Sequence, residues 1–264
     1  MAASPSNHLA PPPTPFTITP ATAEDIDTIA QISGDSFDHD THTLLKAHWR
    51  GANHHRDGSK ADLATLVDNP KCDFLVSRTG NTTAGPGKVI GFVVWHKRGY
   101  TEDEDGDEDG SAVPLFARGD GDVASTLPEC PPPVPAQPER GTQLGLTELE
   151  ATTNAAMTHY IAHLMPAGTS CRFISRMSVD PGYQGQGVGS ALVRWGTDRA
   201  DTDGVYCWVS SSMDGYHVYE KAGFVEVGRQ ELVLDDYAQG VKREMGEDWG
   251  LYVWKWMRRD PAAR

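Results

Sequence analysis

Six residues, Gln184-Gly185-Gln186-Gly187-Val188-Gly189, constrain this chain more than any other stretch, because a strand-like run, 171–179, leads into them and a helix-like run, 190–200, leaves them. Glycines in that position let consecutive backbone N–H groups turn toward one point without interference from Cβ atoms. The helix that follows adds its positive N-terminal end, so the segment reads as an anion cradle suited to a pyrophosphate. A turn, Val179-Asp180-Pro181-Gly182-Tyr183, separates strand from cradle, and Val188, Ala191, Leu192 and Trp195 recur near helical spacing after it.

Spacing separates the phosphate cradles that glycines can build. A triphosphate loop needs G-x-x-x-x-G-K-[ST], and no Lys-Ser or Lys-Thr follows these glycines, so that reading fails. The dinucleotide fingerprint G-x-G-x-x-G is nearly met by Gly185, Gly187 and Ser190, but it also requires an acidic residue at the end of the next strand, for the ribose. That strand, 205–209, ends in Ser210-Ser211-Ser212. A nicotinamide-dependent oxidoreductase therefore stays as an alternative on glycine spacing alone.

Gln184-x-x-Gly187-x-Gly189 after Val179-Asp180-Pro181 resembles the acetyl-CoA motif of the GNAT superfamily of N-acetyltransferases, Gln or Arg-x-x-Gly-x-Gly or Ala. Downstream, Tyr219-Glu220-Lys221-Ala222-Gly223-Phe224 is similar to the Tyr-x-Lys-x-Gly-Phe segment of many members, at about the expected distance. The resemblance covers about Phe16 to Met257 and is most specific from Arg172 to Phe224. It implies an α/β (α+β) fold with a mixed, mostly antiparallel central sheet, splayed where the pantetheine arm of acetyl-CoA enters and flanked by helices. It also implies acetyl-CoA as co-substrate. Gln184, Gly185, Gln186, Gly187, Val188, Gly189 and Ser190 would hold the pyrophosphate, and the backbone of Met177, Ser178 and Val179 would pair with the pantetheine amides. The N–H of Val179 would polarise the thioester carbonyl. Ser212, at the end of the next strand, suits a polar contact with acetyl-CoA or the acceptor.

Acetyl transfer from a thioester to an amine needs a held donor, a neutral amine, a stabilised oxyanion and a proton for the departing thiolate. By its match to the second motif, Tyr219 is the candidate general acid. A phenol with pKa about 10 is protonated at neutral pH and close enough to a thiol at about 8.5 to return a proton. The base is not legible. Some members carry a glutamate on the cradle strand where this chain has Phe173, and no carboxylate lies in that strand. Deprotonating an alkylammonium of pKa 10.4 costs roughly 4–5 kcal/mol at pH 7, so an acceptor is wanted; a water chain, Ser175 or a residue on another element are all open. The missing carboxylate also keeps a catalytically silent acyl-CoA-binding sensor in view.

No metal is expected. His159 and His163 stand i, i+4 on one helix, but the glutamate of H-E-x-x-H is absent and no third ligand suggests itself. His39, His42, His54 and His55 lie in or beside the first two helices, the region that borders the acceptor site in the superfamily, and are secondary candidates for substrate contact. Ser210-Ser211-Ser212 lacks the G-x-S-x-G elbow of a serine nucleophile.

At 264 residues with a formal charge of −14, the chain has room for one sizeable core and lacks the basic surface that general nucleic-acid binding needs. Much of the acid sits in one run, 102–109, best read as a solvated loop. Cys72, Cys130, Cys171 and Cys207 show no C-x-x-C pairing, consistent with small buried hydrophobes in a reducing compartment. No run reaches the ~18 apolar residues of a membrane span, and residues 1–15 lack the basic start and apolar core of a signal peptide. A cytoplasmic location is expected, with the nucleus open, no membrane or nucleic-acid partner, and an undetermined oligomeric state. The expected acceptor is a small-molecule amine, with a peptide or protein amine as second choice.

Along the chain, residues 1–15 read as a proline-rich tail and 16–258 as one domain, interrupted by an acidic and proline-rich insertion at 99–141 and followed by a short tail, 259–264. Strands are expected at 16–19, 74–77, 89–95, 171–179, 205–209, 224–234 and 251–257. Helices are expected at 27–33, 41–50, 144–164, 190–200 and 215–222. In the last strand Tyr252, Trp254 and Trp256 share one face, an aromatic surface expected to be core.

Overall fold

The computed structural model describes residues 14–80, 87–99, 127–130 and 144–262. Most of the expected N-terminal tail and of the 99–141 insertion, the acidic run included, lies outside these residues. Phe16–Pro20 forms β1, and a 3-10 turn, Ala23–Asp25, leads into α1, Ile26–Ser36. The entry is a capping box: Asp25 Oδ2 accepts from the Thr22 N–H at 2.9 Å and from its hydroxyl at 3.0 Å. Arg78 donates to both oxygens of the same carboxylate at 2.7 Å, which ties the helix start to the sheet. Helix α2, Thr41–Arg50, is capped by Asp40, whose carboxylate accepts from the Thr43 N–H at 2.7 Å.

A third helix, α3, His54–Ala64, stands between the helix expected at 41–50 and the strand expected at 74–77, where no element is expected. Its apolar face is narrow, with Leu63 and Ser59 as its buried residues, and Gly58 in its interior costs about 1 kcal/mol relative to Ala. Packing against α1 overrides that local preference. The remaining elements follow the expected order: β2, Cys72–Thr79; β3, Val89–Arg98; α4, Leu144–Leu164; β4, Cys171–Val179; α5, Val188–Asp203; β5, Tyr206–Ser211; α6, Tyr216–Glu220; β6, Val225–Val233; and β7, Leu251–Arg259.

The seven strands form one sheet in the order β1-β2-β3-β4-β5-β7-β6. Every neighbouring pair is antiparallel except β4 and β5, which run parallel from Cys171–Tyr206 to Ile174–Val209. Both strands continue beyond that last pair, to Val179 and Ser211, without pairing further. The sheet is therefore parted between its two middle strands.

Alternation along each strand sends side chains to two cores. On one face α5, Tyr219 of α6 and Phe224 pack on Trp95, Ile174 and Val209. On the other, Ile29 and Ile32 of α1 and Leu63 of α3 pack on Phe74, Phe92 and Val94. Further along that face Tyr160 of α4 stacks on Trp256, ring centroids 3.9 Å apart. Tyr252 and Trp256 are core as expected, while Trp254 is half-buried.

Helix α5 approaches the sheet closely enough that Trp95 Nε1 donates to the Leu192 carbonyl at 3.2 Å, and a Cβ on Gly196 would stand 2.1 Å from the Trp95 ring. Trp95 is fully buried and cannot swing away, so Gly196→Ala is expected to cost about 1–3 kcal/mol by overpacking. A denaturant titration that finds unchanged stability would show that helix and sheet can slide apart.

Two chain segments hold more structure than the sequence suggests. Within the 99–141 insertion, the Leu127 N–H donates to the Val227 carbonyl at 2.7 Å on edge strand β6, and Leu127 and Cys130 pack against the core around Tyr160 and Trp256. Deleting 102–138 therefore removes an edge hydrogen bond and apolar contacts, and is expected to lower stability by about 1–3 kcal/mol. A bridge that preserves the melting point would make the contact dispensable. At the other end, β7 extends through Arg259, whose guanidinium makes two hydrogen bonds to Asp201, at 2.7 and 2.8 Å.

Candidate active site

Beyond Ile174 and Val209 the parted strands open into a cleft of about 460 Å³. Its floor is Ser175, Arg176, Met177 and Ser178 of β4 facing Ser210 and Ser211 of β5 with Ser212 just beyond. One wall comes from α1, α2 and α3; Thr153 of α4 and Trp254 of β7 close another. Tyr219 belongs to α6 on the opposite face of the sheet, and its ring reaches the cleft where the strands divide.

The cradle sits at the far end of β4. Asp180 caps the turn by accepting from the Gly182 N–H at 2.9 Å and pairs with Lys88 at 2.8 Å. Gln184 Nε2 donates to the Val179 carbonyl at 3.1 Å, and Gln186 Nε2 to the Gly182 carbonyl at 3.1 Å. These amide side chains fix the loop's shape and leave its N–H groups for something else. Gly185 and Gly187 have φ of 73° and 88°, the left-handed region that L residues avoid, and a Cβ on either would meet nothing within 4 Å. Gly187 is the N-cap of α5 and supplies no side-chain cap, so the first-turn N–H groups of Val188, Gly189 and Ser190 face that open side with the helix's positive end behind them. At Gly189 φ is ordinary and a Cβ would make normal contacts, so that glycine is not demanded by the backbone.

The three β4 residues expected to meet a pantetheine arm pair with β3 on one side, Met177 with Val93, Ser178 with Phe92 and Val179 with Gly91, and face the parted edge on the other. A donor with a pyrophosphate, an amide-bearing arm and a thioester thus finds, in order, a helix N-terminus, a strand edge that no other strand pairs, and a cleft, with the Val179 carbonyl on that edge held by Gln184 and by Ser36 Oγ at 2.9 Å. The set of groups fits acetyl-CoA.

Tyr219 is 5% exposed, and its hydroxyl has no hydrogen-bond partner among the described residues. Burial alone raises its pKa, so the phenol is protonated throughout the neutral range. Phe224 meets its ring edge-on with centroids 5.8 Å apart. Ser212 lines the cleft, its carbonyl accepting from Ser211 Oγ at 3.0 Å.

The histidine-rich wall was only faintly legible. His42 and His55 both line the cleft. Burial, then Lys46 and His55, lowers the pKa of His42 to about 3; burial, then Arg176, His54 and Lys46, lowers that of His55 to about 4. His55 Nε2 lies 3.2 Å from Ser33 Oγ, and its ring packs on Phe37. Both imidazoles are neutral at pH 7. A group whose folded pKa lies below its unfolded value supports stability above the unfolded pKa of about 6.5 and loses that support as pH falls toward the folded value. Acidification from pH 6.5 to 5 is thus expected to cost on the order of 2–4 kcal/mol from this pair. Urea midpoints at the two pH values measure the loss, and His42→Leu should remove a large share of it; an unchanged pH slope in that variant would contradict the assignment.

Asp62 is the one carboxylate among the described lining residues, and Arg176 pairs with it at 3.0 Å. Lys46 also faces the cleft, 3.5 Å from Glu150. The overall charge of −14 is therefore not reproduced inside the site. His159 and His163 are spent on backbone carbonyls, of Pro128 at 2.9 Å and of His159 at 2.7 Å.

Residues 151–226, which hold the end of α4, β4, the cradle, α5, β5 and α6, match the family model described as an acetyltransferase (GNAT) domain. The parted mixed sheet and the glycine cradle agree with this match to a GNAT acetyltransferase domain. Among solved structures, arylalkylamine N-acetyltransferase 2 from Aedes aegypti is similar in fold, with 13% identity, a TM-score of 0.54 and coverage of 94% of this chain and 99% of that one. A mosquito arylalkylamine N-acetyltransferase like 5b gives 16% identity and a TM-score of 0.52 over 93% and 100% of the two chains. An agmatine N-acetyltransferase gives 12%, 0.50, 93% and 99%. A comparison with curated proteins finds no match.

Proposed function

We propose that this protein transfers the acetyl group of acetyl-CoA to the primary amine of a small molecule by direct attack on the thioester, with Tyr219 as general acid. The observation that carries the reading is the succession along β4 of a helix N-terminal cradle at its far end, an edge that β5 does not pair, and a cleft that a buried phenol reaches. Its volume, about 460 Å³, falls in the range that encloses small ligands and is tight for a folded protein surface. The lining supports the choice of acceptor as well. Phe37, Trp254 and the neutral histidines suit an apolar or aromatic body, and with Asp62 already paired a polycation finds no free carboxylate among the described lining residues. The neighbours named for arylalkylamines agree with that choice, and the one named for agmatine marks the cationic alternative.

Thermal shift separates this reading from its rivals. A ligand at about 100 times its dissociation constant adds roughly 2.7 kcal/mol of stability, a clear rise in melting temperature. Acetyl-CoA is expected to give that rise and NAD none. The reverse would point to an oxidoreductase, and acetyl-CoA binding without turnover of any amine would point to a silent sensor.

A further inference from the structure

The proton acceptor that β4 lacks as a carboxylate is present in another form. Met177 and Arg176 pair with Val93 and Val94, and the next pair is Ile174 with Trp95, so Ser175 is a bulged residue with no opposite number. Ile174 is also the last residue that β4 pairs with β5. Ser175 therefore stands at the vertex where the strands part, and it lines the cleft. Its hydroxyl lies 2.8 Å from Nε2 of His96, on the neighbouring strand β3. We propose that Ser175 is a catalytic residue that takes the proton of the acceptor amine and that His96, acting through it, receives that proton. The inference rests on the acetyltransferase reading.

The surroundings of His96 prepare it for this role. Cys72 Sγ of β2 lies 3.2 Å from the His96 Nδ1 and 3.8 Å from its Nε2. In the Nδ1–H tautomer the Nε2 lone pair is directed at the Ser175 O–H, the nearer partner of that nitrogen. The ring is clamped by a stack in which Phe173 lies 4.7 Å from it and Trp208 4.8 Å beyond. Burial, and then the Arg176 charge, lowers its pKa, so the imidazole is a free base at neutral pH. Cys72, Ser175 and Arg176 are the polar groups that face it, and Asp62 of α3 is engaged by Arg176. No carboxylate among the described residues bonds to the ring.

The step balances. The neutral amine nitrogen bonds to the thioester carbon, and the carbonyl π pair moves to oxygen. The nitrogen, now positive and acidic, gives a proton to Ser175 Oγ as the Ser175 hydroxyl proton passes to His96 Nε2. The oxyanion then re-forms the carbonyl, the C–S bond breaks, and the thiolate takes the Tyr219 proton. Exchange with water restores neutral His96 and protonated Tyr219. The products are the N-acetyl amine and the free thiol.

The test uses the full chain with acetyl-CoA and phenylethylamine, or the panel amine with the fastest turnover, together with 15N-histidine NMR of the free protein. Ser175→Ala and His96→Gln are each expected to lower kcat about 10²–10³-fold with acetyl-CoA affinity within a few-fold. The double variant should be no slower than the slower single one, because the two act as a unit. Ser175→Thr keeps a hydroxyl and should recover most of the rate. Below pH 6.5 the wild-type kcat/KM should fall more steeply than protonation of the acceptor amine alone requires, and His96→Gln should remove that second acid limb, a change a packing role would not produce. NMR should show His96 protonated at Nδ1 with Nε2 shifting in Ser175→Ala. An Nε2–H tautomer, a second acid limb that survives in His96→Gln, or additive losses would each overturn the relay. Wild-type protein inert toward every amine would instead sink the acetyltransferase reading and the relay with it.

Discussion

Tyr219→Phe is expected to lower turnover about 10²–10⁴-fold while acetyl-CoA affinity stays within a few-fold. The structure makes this substitution unusually clean. The ring is held by Phe224 and the core beneath the divided strands, whereas the hydroxyl has no partner among the described residues, so its removal takes no contact from the folded state. The melting temperature should not fall. Burial keeps the phenol protonated when the cleft is free, so the proton is in place for a departing thiolate at any pH near neutrality. Near-wild-type turnover, with chemistry shown to be rate-limiting, would reduce Tyr219 to a packing residue and leave protonation of the thiolate to water.

Gly187→Glu is expected to weaken acetyl-CoA binding by about 10²-fold or more, since like charges brought together in a site cost several kcal/mol. The new carboxylate would project from the N-cap of α5 into the side where first-turn N–H groups stand free. An acidic group there complements the helix end, which offsets part of the strain of an L residue at φ 88° and should leave the fold intact. Gly187→Ala supplies the control, carrying the same backbone strain with no charge. Calorimetry that finds equal affinities in wild type and the glutamate variant would rule out the cradle as the pyrophosphate site.

These two residues were legible because each belongs to a local pattern whose physics is written in adjacent positions. Glycines before a helix, and a tyrosine ahead of Lys-x-Gly-Phe, need no tertiary information. The same holds for α2, α4 and β4, whose bounds follow from caps and apolar spacing. What the sequence hid depends on distance along the chain. The parting of β4 from β5 has no local signature, because Ser175 and Ser210 look like ordinary strand residues until their pairing stops. His96 and Ser175 meet across two strands and 79 positions. Helix α3 lacks a broad apolar stripe and contains Gly58, so only its packing on α1 reveals it. Leu127 and Cys130 sit in a composition that reads as linker, yet dock on β6 and the Tyr160 cluster. Net charge misleads for the opposite reason: it sums the whole chain, while the cleft lining holds one carboxylate and that one is paired.

The most direct test incubates the full chain with acetyl-CoA and phenylethylamine, tryptamine, agmatine and a lysine-bearing peptide, following free thiol and N-acetylated product together. Equal amounts of thiol and N-acetyl product are expected, fastest with the aromatic amines and slowest with the peptide. Acetyl-CoA bound but no product from any amine, or thiol released without an N-acetyl product, would contradict the account.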